Sequence, residues 1–308
     1  MTRDPDRPER DWLVHDLVID SPVLGQSWRV LVQAPSGSPP HRLPWIWLLH
    51  GSTASADEVG PVLTAAAEAM SSGDIAPMII AVPDAPEGYR SSWWVDSSYA
   101  PSEPQPQPHV VGGFIASPGR PLERALLEDL LPAAETRFGP RPGAAQRTIG
   151  GISMGGAAAL RWLIVRPDLF GSAVLLSPAA YDPWPSLDSS ARATGAFGVG
   201  DEIFEPSRFG ELMHYPTLLA DRPAGPTTAR VVIIVGDEEP VQSSEAAGGD
   251  LASRCDLDLQ AARLHATLKE RPDFRSSLRV VGGGHDWPVW QRGIVTALGI
   301  LAGRELVT

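Results

Sequence analysis

The sequence predicts an α/β protein built on a mostly parallel sheet flanked by helices, and three observations carry that prediction. Short apolar runs bounded by Gly and Pro alternate with longer helix-like stretches along most of the chain, the order expected of strands joined by crossover helices. The run Arg230–Val235 is β-branched and apolar at consecutive positions, as a strand covered on both faces must be. Gly151-Ile-Ser-Met-Gly155 falls where a predicted strand meets a predicted helix.

Residues 1–11 are charged and Pro-rich and cannot bury enough apolar surface to offset the entropy of ordering, so a disordered tail is expected there. Folding is expected to start near Trp12. The clearest strands are Trp28–Gln33, Trp45–His50, Met78–Val82, Arg147–Ile152, Ala173–Ser177, Arg230–Val235 and Leu278–Val281. Between them, Ala54–Ser71, Leu122–Arg137, Gly155–Arg166, Leu257–Lys269 and Trp290–Leu301 have helical length and spacing. Two segments break the rhythm. Ser97–Gly119 is Pro-rich and reads as a loop insertion; Tyr181–Thr228, with Pro, Gly and scattered aromatics, reads as an irregular cap containing short helices. Both follow strand ends, where α/β folds place their binding sites. No repeat or linker divides the rest, so 12–308 is expected to be a single domain.

Composition narrows the function classes. With 43% hydrophobic and 20% charged residues the chain can bury a large core, and a formal net charge of −12 repels nucleic acid phosphates and anionic lipid. The single cysteine, Cys255, leaves no internal disulfide and no cysteine-rich metal site. The N-terminus lacks the apolar core of a secretory signal, and no stretch approaches the roughly twenty apolar residues of a membrane span. The expectation is a cytoplasmic protein acting on a small molecule, with no nucleic acid or membrane partner; oligomeric state is left open.

The strongest chemical signal is the Gly-x-Ser-x-Gly turn. In a strand-to-helix turn, small residues around the serine let a strained backbone hold its hydroxyl out over the sheet, and the helix N-terminus stabilises negative charge nearby. Ser153 is the candidate nucleophile, and a serine hydroxyl needs a base. Among seven histidines, His285 lies in Val281-Gly-Gly-Gly-His-Asp-Trp287, just past the last predicted strand, where glycines permit a loop that swings the ring toward the turn. His15, His41, His109, His214 and His265 carry no such context.

An acid that orients the imidazole should follow Arg230–Val235, where Gly236-Asp-Glu-Glu-Pro240 offers three consecutive carboxylates. Their position is informative and their identity open: Asp237, Glu238 and Glu239 all qualify. An oxyanion hole needs backbone N–H groups, one from Met154 after the nucleophile and a second from the turn His50-Gly-Ser-Thr53, where Ser52 is the choice.

With these residues in view, the chain resembles the esterase D, feruloyl esterase and mycolyltransferase group of α/β-hydrolases over most of its length. The matches are Leu48-Leu-His-Gly51, Gly150-Gly-Ile-Ser-Met-Gly-Gly156, Arg166-Pro-Asp-Leu-Phe-Gly171, Leu176-Ser-Pro178 and Gly284-His-Asp-Trp-Pro-Val-Trp290. The resemblance implies an α/β-hydrolase fold and a serine-dependent carboxylic ester hydrolase with neither metal nor organic cofactor, Ser153 as nucleophile and His285 as base. It favours Glu239 as the acid, with Asp237 the runner-up, because the acid of such enzymes sits three or four residues past the strand-ending glycine. It further implies an aromatic cleft at Arg90-Ser-Ser-Trp-Trp-Val-Asp96. His50, Trp93, Trp94, Tyr181 and Trp287 are therefore candidate substrate-binding residues. The same triad would serve an acyltransferase, whereas a non-catalytic relative that only binds ligand would be expected to lack a triad member.

Overall fold

The apolar runs become the strands of one eight-stranded sheet in a computed structural model, which describes residues 11–37, 43–102, 110–111, 114–187, 189–222, 228–239 and 256–303. In chain order the strands are β1 (Trp12–Ser21), β2 (Gln26–Pro35), β3 (Trp45–Leu49), β4 (Ile79–Pro83), β5 (Arg147–Ile152), β6 (Ser172–Leu176), β7 (Ala229–Gly236) and β8 (Phe274–Val281). Across the sheet the order is β1-β2-β4-β3-β5-β6-β7-β8. The pairs β1–β2 and β2–β4 are antiparallel, and every other neighbour is parallel. The strand order reverses between β3 and β5, so a crevice opens at their carboxyl ends. The expected mostly parallel sheet with helices on both faces is what forms.

Helices α1 (Gly60–Ser72), α2 (122–137), α3 (Met154–Val165), α4 (Leu257–Lys269) and α5 (Trp287–Leu301) cover the two faces. Strand alternation sorts the core into two layers. Trp45, Trp47, Val231 and Ile233 point to the layer containing α2, α3 and α4; Ile46, Leu48, Val232 and Ile234 point to the layer containing α1 and α5. The middle turn of α2, Leu126–Leu130, widens to a π-helix just before Pro132, which lacks the N–H that an unbroken α ladder would use.

Four elements differ from the sequence expectation by three residues or more, among them β8, which starts at Phe274 rather than Leu278. β1 is a full ten-residue strand where only the start of folding was anticipated. α1 begins at Gly60 rather than Ala54, because Asp57–Val59 forms a separate 3₁₀ turn and Pro61 suits the first helical turn. α5 begins at Trp287 rather than Trp290, because Asp286 caps it: Asp286 Oδ1 accepts from Val289 N–H at 3.1 Å.

Within the two irregular segments, short helices occupy Ser190–Ala193, Pro206–Leu212 and Tyr215–Asp221, and the strand Ser98–Tyr99 pairs with Val199–Gly200. The tail 1–10, most of the Pro-rich stretch at 103–109, and His41, His109, Pro240 and Cys255 lie outside the described residues. No described helix is long and apolar enough to cross a membrane.

Candidate active site

β5 ends at Ile152 and α3 begins at Met154, so the whole change of chain direction falls on Ser153. Its backbone sits at φ 54° and ψ −116°, a sparsely populated conformation that costs on the order of 1–3 kcal/mol. Three hydrogen bonds impose it. Ser153 N–H donates to the Leu176 carbonyl at 2.9 Å, and the Ser153 carbonyl accepts from Ala157 N–H at 3.1 Å and Ala179 N–H at 3.0 Å. The flanking glycines are required by close approach: a Cβ on Gly151 would lie 2.1 Å from the Gly155 carbonyl, and one on Gly155 would lie 2.3 Å from the Leu49 oxygen. No side chain larger than hydrogen fits at either place.

The three carboxylates after β7 separate cleanly. Asp237 is exposed, and its Oδ1 accepts from Gly283 N–H at 2.9 Å, tying two loops together. Glu238 is exposed and faces the cavity described below. Glu239 turns inward, 2% exposed. Its Oε1 accepts from the Ser177 hydroxyl and from Gly236 N–H, each at 2.6 Å, while Oε2 faces His285 Nδ1 at 2.9 Å. A carboxylate opposite Nδ1 makes that nitrogen the protonated one and leaves Nε2 to accept. The ring packs edge-on against Trp290, centroids 5.0 Å apart, and Trp290 packs in the same way on Trp287 at 4.9 Å.

Ser153 and His285 open onto one cavity of about 580 Å³. Met154 and Ser52 line it too, and so do Trp93, Tyr181 and Trp287. Met154 is the first residue of α3, where backbone N–H groups point beyond the helical ladder. The opposing turn is braced by a network that the sequence did not suggest. Ser52 Oγ meets Ser190 Oγ at 2.8 Å, Trp93 Nε1 donates to Ser190 Oγ at 3.1 Å, and Trp93 N–H points at Met154 Sδ, 3.2 Å away. Trp93, only 1% exposed, is thus both wall and brace.

Two expectations need correction. Trp94 does not face the cavity: it is wholly buried, stacks on Trp28 at 6.5 Å and donates from Nε1 to the His50 carbonyl at 3.2 Å. The two tryptophans share one turn and point apart. His50 also lies under the site rather than in it, wholly buried, with its Nδ1 2.8 Å from the Gly51 carbonyl and its Nε2 accepting from Ala85 N–H at 3.2 Å. Burial pushes its pKa down to about 4, so the ring is neutral and braces the turn before Ser52.

Ser177, Ser190 and Trp290 join the site without having been singled out. Ser177 and Trp290 stood only inside matched motifs, and Ser190 in a segment with no pattern of its own. Among the described residues, no group of three or more His, Cys, Asp or Glu is placed to hold a metal ion.

A model of the family described as "Putative esterase" matches residues 21–301. No curated protein matches the chain by sequence. Among solved structures, a ferulic acid esterase is similar at 18% identity over 95% of this chain and 98% of its own, with a TM-score of 0.62. A substrate-bound fluorophosphonate-binding serine hydrolase from Staphylococcus aureus is similar at 16% identity over 94% of this chain and 98% of its own, TM-score 0.62. An S-formylglutathione hydrolase from Agrobacterium tumefaciens is similar at 15% identity over 95% of each chain, TM-score 0.62. At such identities the solved structures establish a shared α/β-hydrolase fold and leave the substrate of this chain to its own residues.

Proposed function

The chain belongs to this esterase family, matched over residues 21–301, and is a serine carboxylic ester hydrolase; from that premise we propose that it works through an acyl-enzyme on Ser153, with His285 as general base and Glu239 as the orienting acid. Ser153 Oγ attacks the acyl carbonyl carbon while His285 Nε2 takes the hydroxyl proton. Glu239, at 2.9 Å from Nδ1, stabilises the imidazolium that forms. The tetrahedral oxyanion is held by the N–H groups of Met154 and Ser52, beside the N-terminus of α3. Collapse expels the alcohol, which leaves with the proton from Nε2. Water then gives a proton to Nε2 and attacks the acyl carbonyl, and its collapse releases the acid and restores the serine hydroxyl.

The observation that carries this reading is the contact between a buried carboxylate and a histidine that shares one cavity with a strained serine. Nothing in the sequence brings these together except the fold. A fluorophosphonate probe requires an activated hydroxyl beside an oxyanion site, so it should label the wild-type protein rapidly at Ser153 alone. Ser153→Ala should remain unlabelled and lose at least about a thousandfold in turnover of p-nitrophenyl acetate. Rapid labelling of that variant at another serine, mapped by peptide sequencing, would show the assignment to be wrong.

A further inference from the structure

The carboxylate of Glu239 is held from behind by a hydrogen-bonded chain that the reaction above does not use. Trp290 Nε1 lies 2.9 Å from Ser177 Oγ, and Ser177 Oγ lies 2.6 Å from Glu239 Oε1. An indole N–H has a proton to give and no lone pair to receive one. The first link is therefore fixed in direction: Trp290 donates and Ser177 accepts. The one hydroxyl proton of Ser177 is then directed along the second link, to Glu239 Oε1. Gly236 N–H, also a donor only, reaches the same oxygen at 2.6 Å. With two donors aimed at it, Oε1 acts solely as an acceptor, and Oε2 is left for His285.

All of this is shielded from solvent. Ser177 is 0%, Glu239 2% and Trp290 8% exposed. Ser177 also holds φ at 46°, a left-handed conformation that favours glycine, with its N–H anchored on the Ile234 carbonyl at 2.7 Å. A serine is kept where the backbone alone would favour glycine, and its hydroxyl sits under the carboxylate.

We propose that Ser177 and Trp290 are positioning residues of this esterase: the indole orients the Ser177 hydroxyl, and the hydroxyl locks the Glu239 carboxylate so that Oε2 meets His285 Nδ1. This rests on the assignment of Ser153, His285 and Glu239 made above. Its consequence is specific. Without the hydroxyl the carboxylate shares its charge with one donor fewer, draws harder on the His285 proton, and gains freedom to rotate. Turnover falls, and the acidic limb of the kcat/KM profile moves to higher pH.

The other charged groups around this loop keep their places in such an experiment. Asp286 is held by Val289 N–H, Asp237 by Gly283 N–H, and Arg292 donates to the Gly282 carbonyl, while Glu238 faces the cavity. A displaced limb therefore reports the Glu239 side of the ring.

The test compares Ser177→Gly, which accepts the left-handed backbone and removes only the hydroxymethyl group, with Trp290→Phe, which keeps an aromatic ring and removes the N–H, and with the double variant. On p-nitrophenyl acetate, Ser177→Gly should lose about ten- to a hundredfold in kcat, the range for a hydrogen bond to a charged group, with KM within about twofold of wild type. Its acidic limb should move up. Trp290→Phe should show a smaller loss in the same direction, and the double variant should be no worse than Ser177→Gly, since Phe keeps a ring against His285 and the indole N–H acts through the hydroxyl. An unmoved limb with undiminished kcat in Ser177→Gly, or a double variant whose loss is the product of the two singles, overturns the proposal. Should Ser177→Gly fail to fold, the limb of Trp290→Phe decides alone. Glu239→Gln, run alongside, separates the two levels: if it is crippled while Ser177→Gly is normal, the triad stands and this inference falls; if it is fully active, both fall.

Discussion

Three neighbouring carboxylates acquire three different tasks because each finds different donors. Asp237 takes the Gly283 amide, Glu238 stays in solvent at the cavity, and Glu239 is surrounded by Ser177, Gly236 and His285. This fixes what an amide would do at Glu239. With Ser177 and Gly236 both donating to one oxygen, Glu239→Gln must turn its carbonyl toward them and its NH₂ toward His285. Two donors would then face each other, so the imidazole would shift its proton to Nε2 and lose the lone pair that the proposed mechanism uses to accept from Ser153. Turnover should fall by up to about ten-thousandfold. Asp237→Asn keeps an acceptor for Gly283, and Glu238→Gln changes a solvated group, so both should stay within a few-fold of wild type at matched thermal stability. A crippled Asp237→Asn beside an active Glu239→Gln would reverse the assignment. At this scale the sequence was partly legible. Ser153 and His285 stood out as candidates by local context, whereas Glu239 was preferred over its neighbours for the longer reach of its side chain and through resemblance. Ser177 and Trp290 were invisible as a pair, because their hydrogen bond joins residues 113 positions apart.

Elements were legible where the hydrophobic period was strong. β3, β5 and β7 read directly as buried strands, and α4 coincided with its expected bounds. β1 did not, since Trp12, Leu13, Val14, Leu17, Val18 and Ile19 match neither clean alternation nor one helical face. As an edge strand it leaves Val14 and Val18 about half exposed or more, at 51% and 62%, so its pattern was never set by a core on one side. The Trp93–Trp94 pair shows the same limit within a single turn. Composition places two aromatics there, but only the positive φ of both residues, 57° and 56°, sends one ring to the cavity and the other to the core. The two substitutions should therefore differ in kind. Trp94→Ala should cost about 3–5 kcal/mol of stability, as expected for removing a wholly buried aromatic, with the ester preference of the surviving enzyme unchanged. Trp93→Ala and Tyr181→Ala should change the rank order of rates over a panel of esters, since specificity resides in pocket contacts. An unaltered rank order in both would make Trp93 and Tyr181 structural only.

Over the whole molecule, two opposing effects act as pH falls. A formal net charge of −12 means that mild acid relieves repulsion and favours the compact state. Against it stands His50, packed beneath the turn before Ser52 with its pKa pushed from the usual 6.5 to about 4 by burial. The sign follows from proton uptake. Between those two values the unfolded chain binds a proton at this imidazole and the folded chain does not, so stability is complete above about 6.5 and declines as pH falls toward about 4. Between about pH 7.5 and about pH 5 the loss from this one ring is roughly 2 kcal/mol. The carboxylates held low by arginine, such as Asp57 beside Arg29 and Asp168 beside Arg166, act later: their contribution is present above their unfolded value of 3.8 and disappears only below it. The His50 window therefore comes first. Urea unfolding at the two pH values, for wild type and for His50→Gln, isolates it, because charge relief is common to both proteins. The amide oxygen can accept from Ala85 N–H as imidazole Nε2 does, and it does not titrate. Wild type should lose about 2 kcal/mol more than the variant between the two conditions. Equal losses in the two proteins would mean that the buried ring is not what limits stability in mild acid.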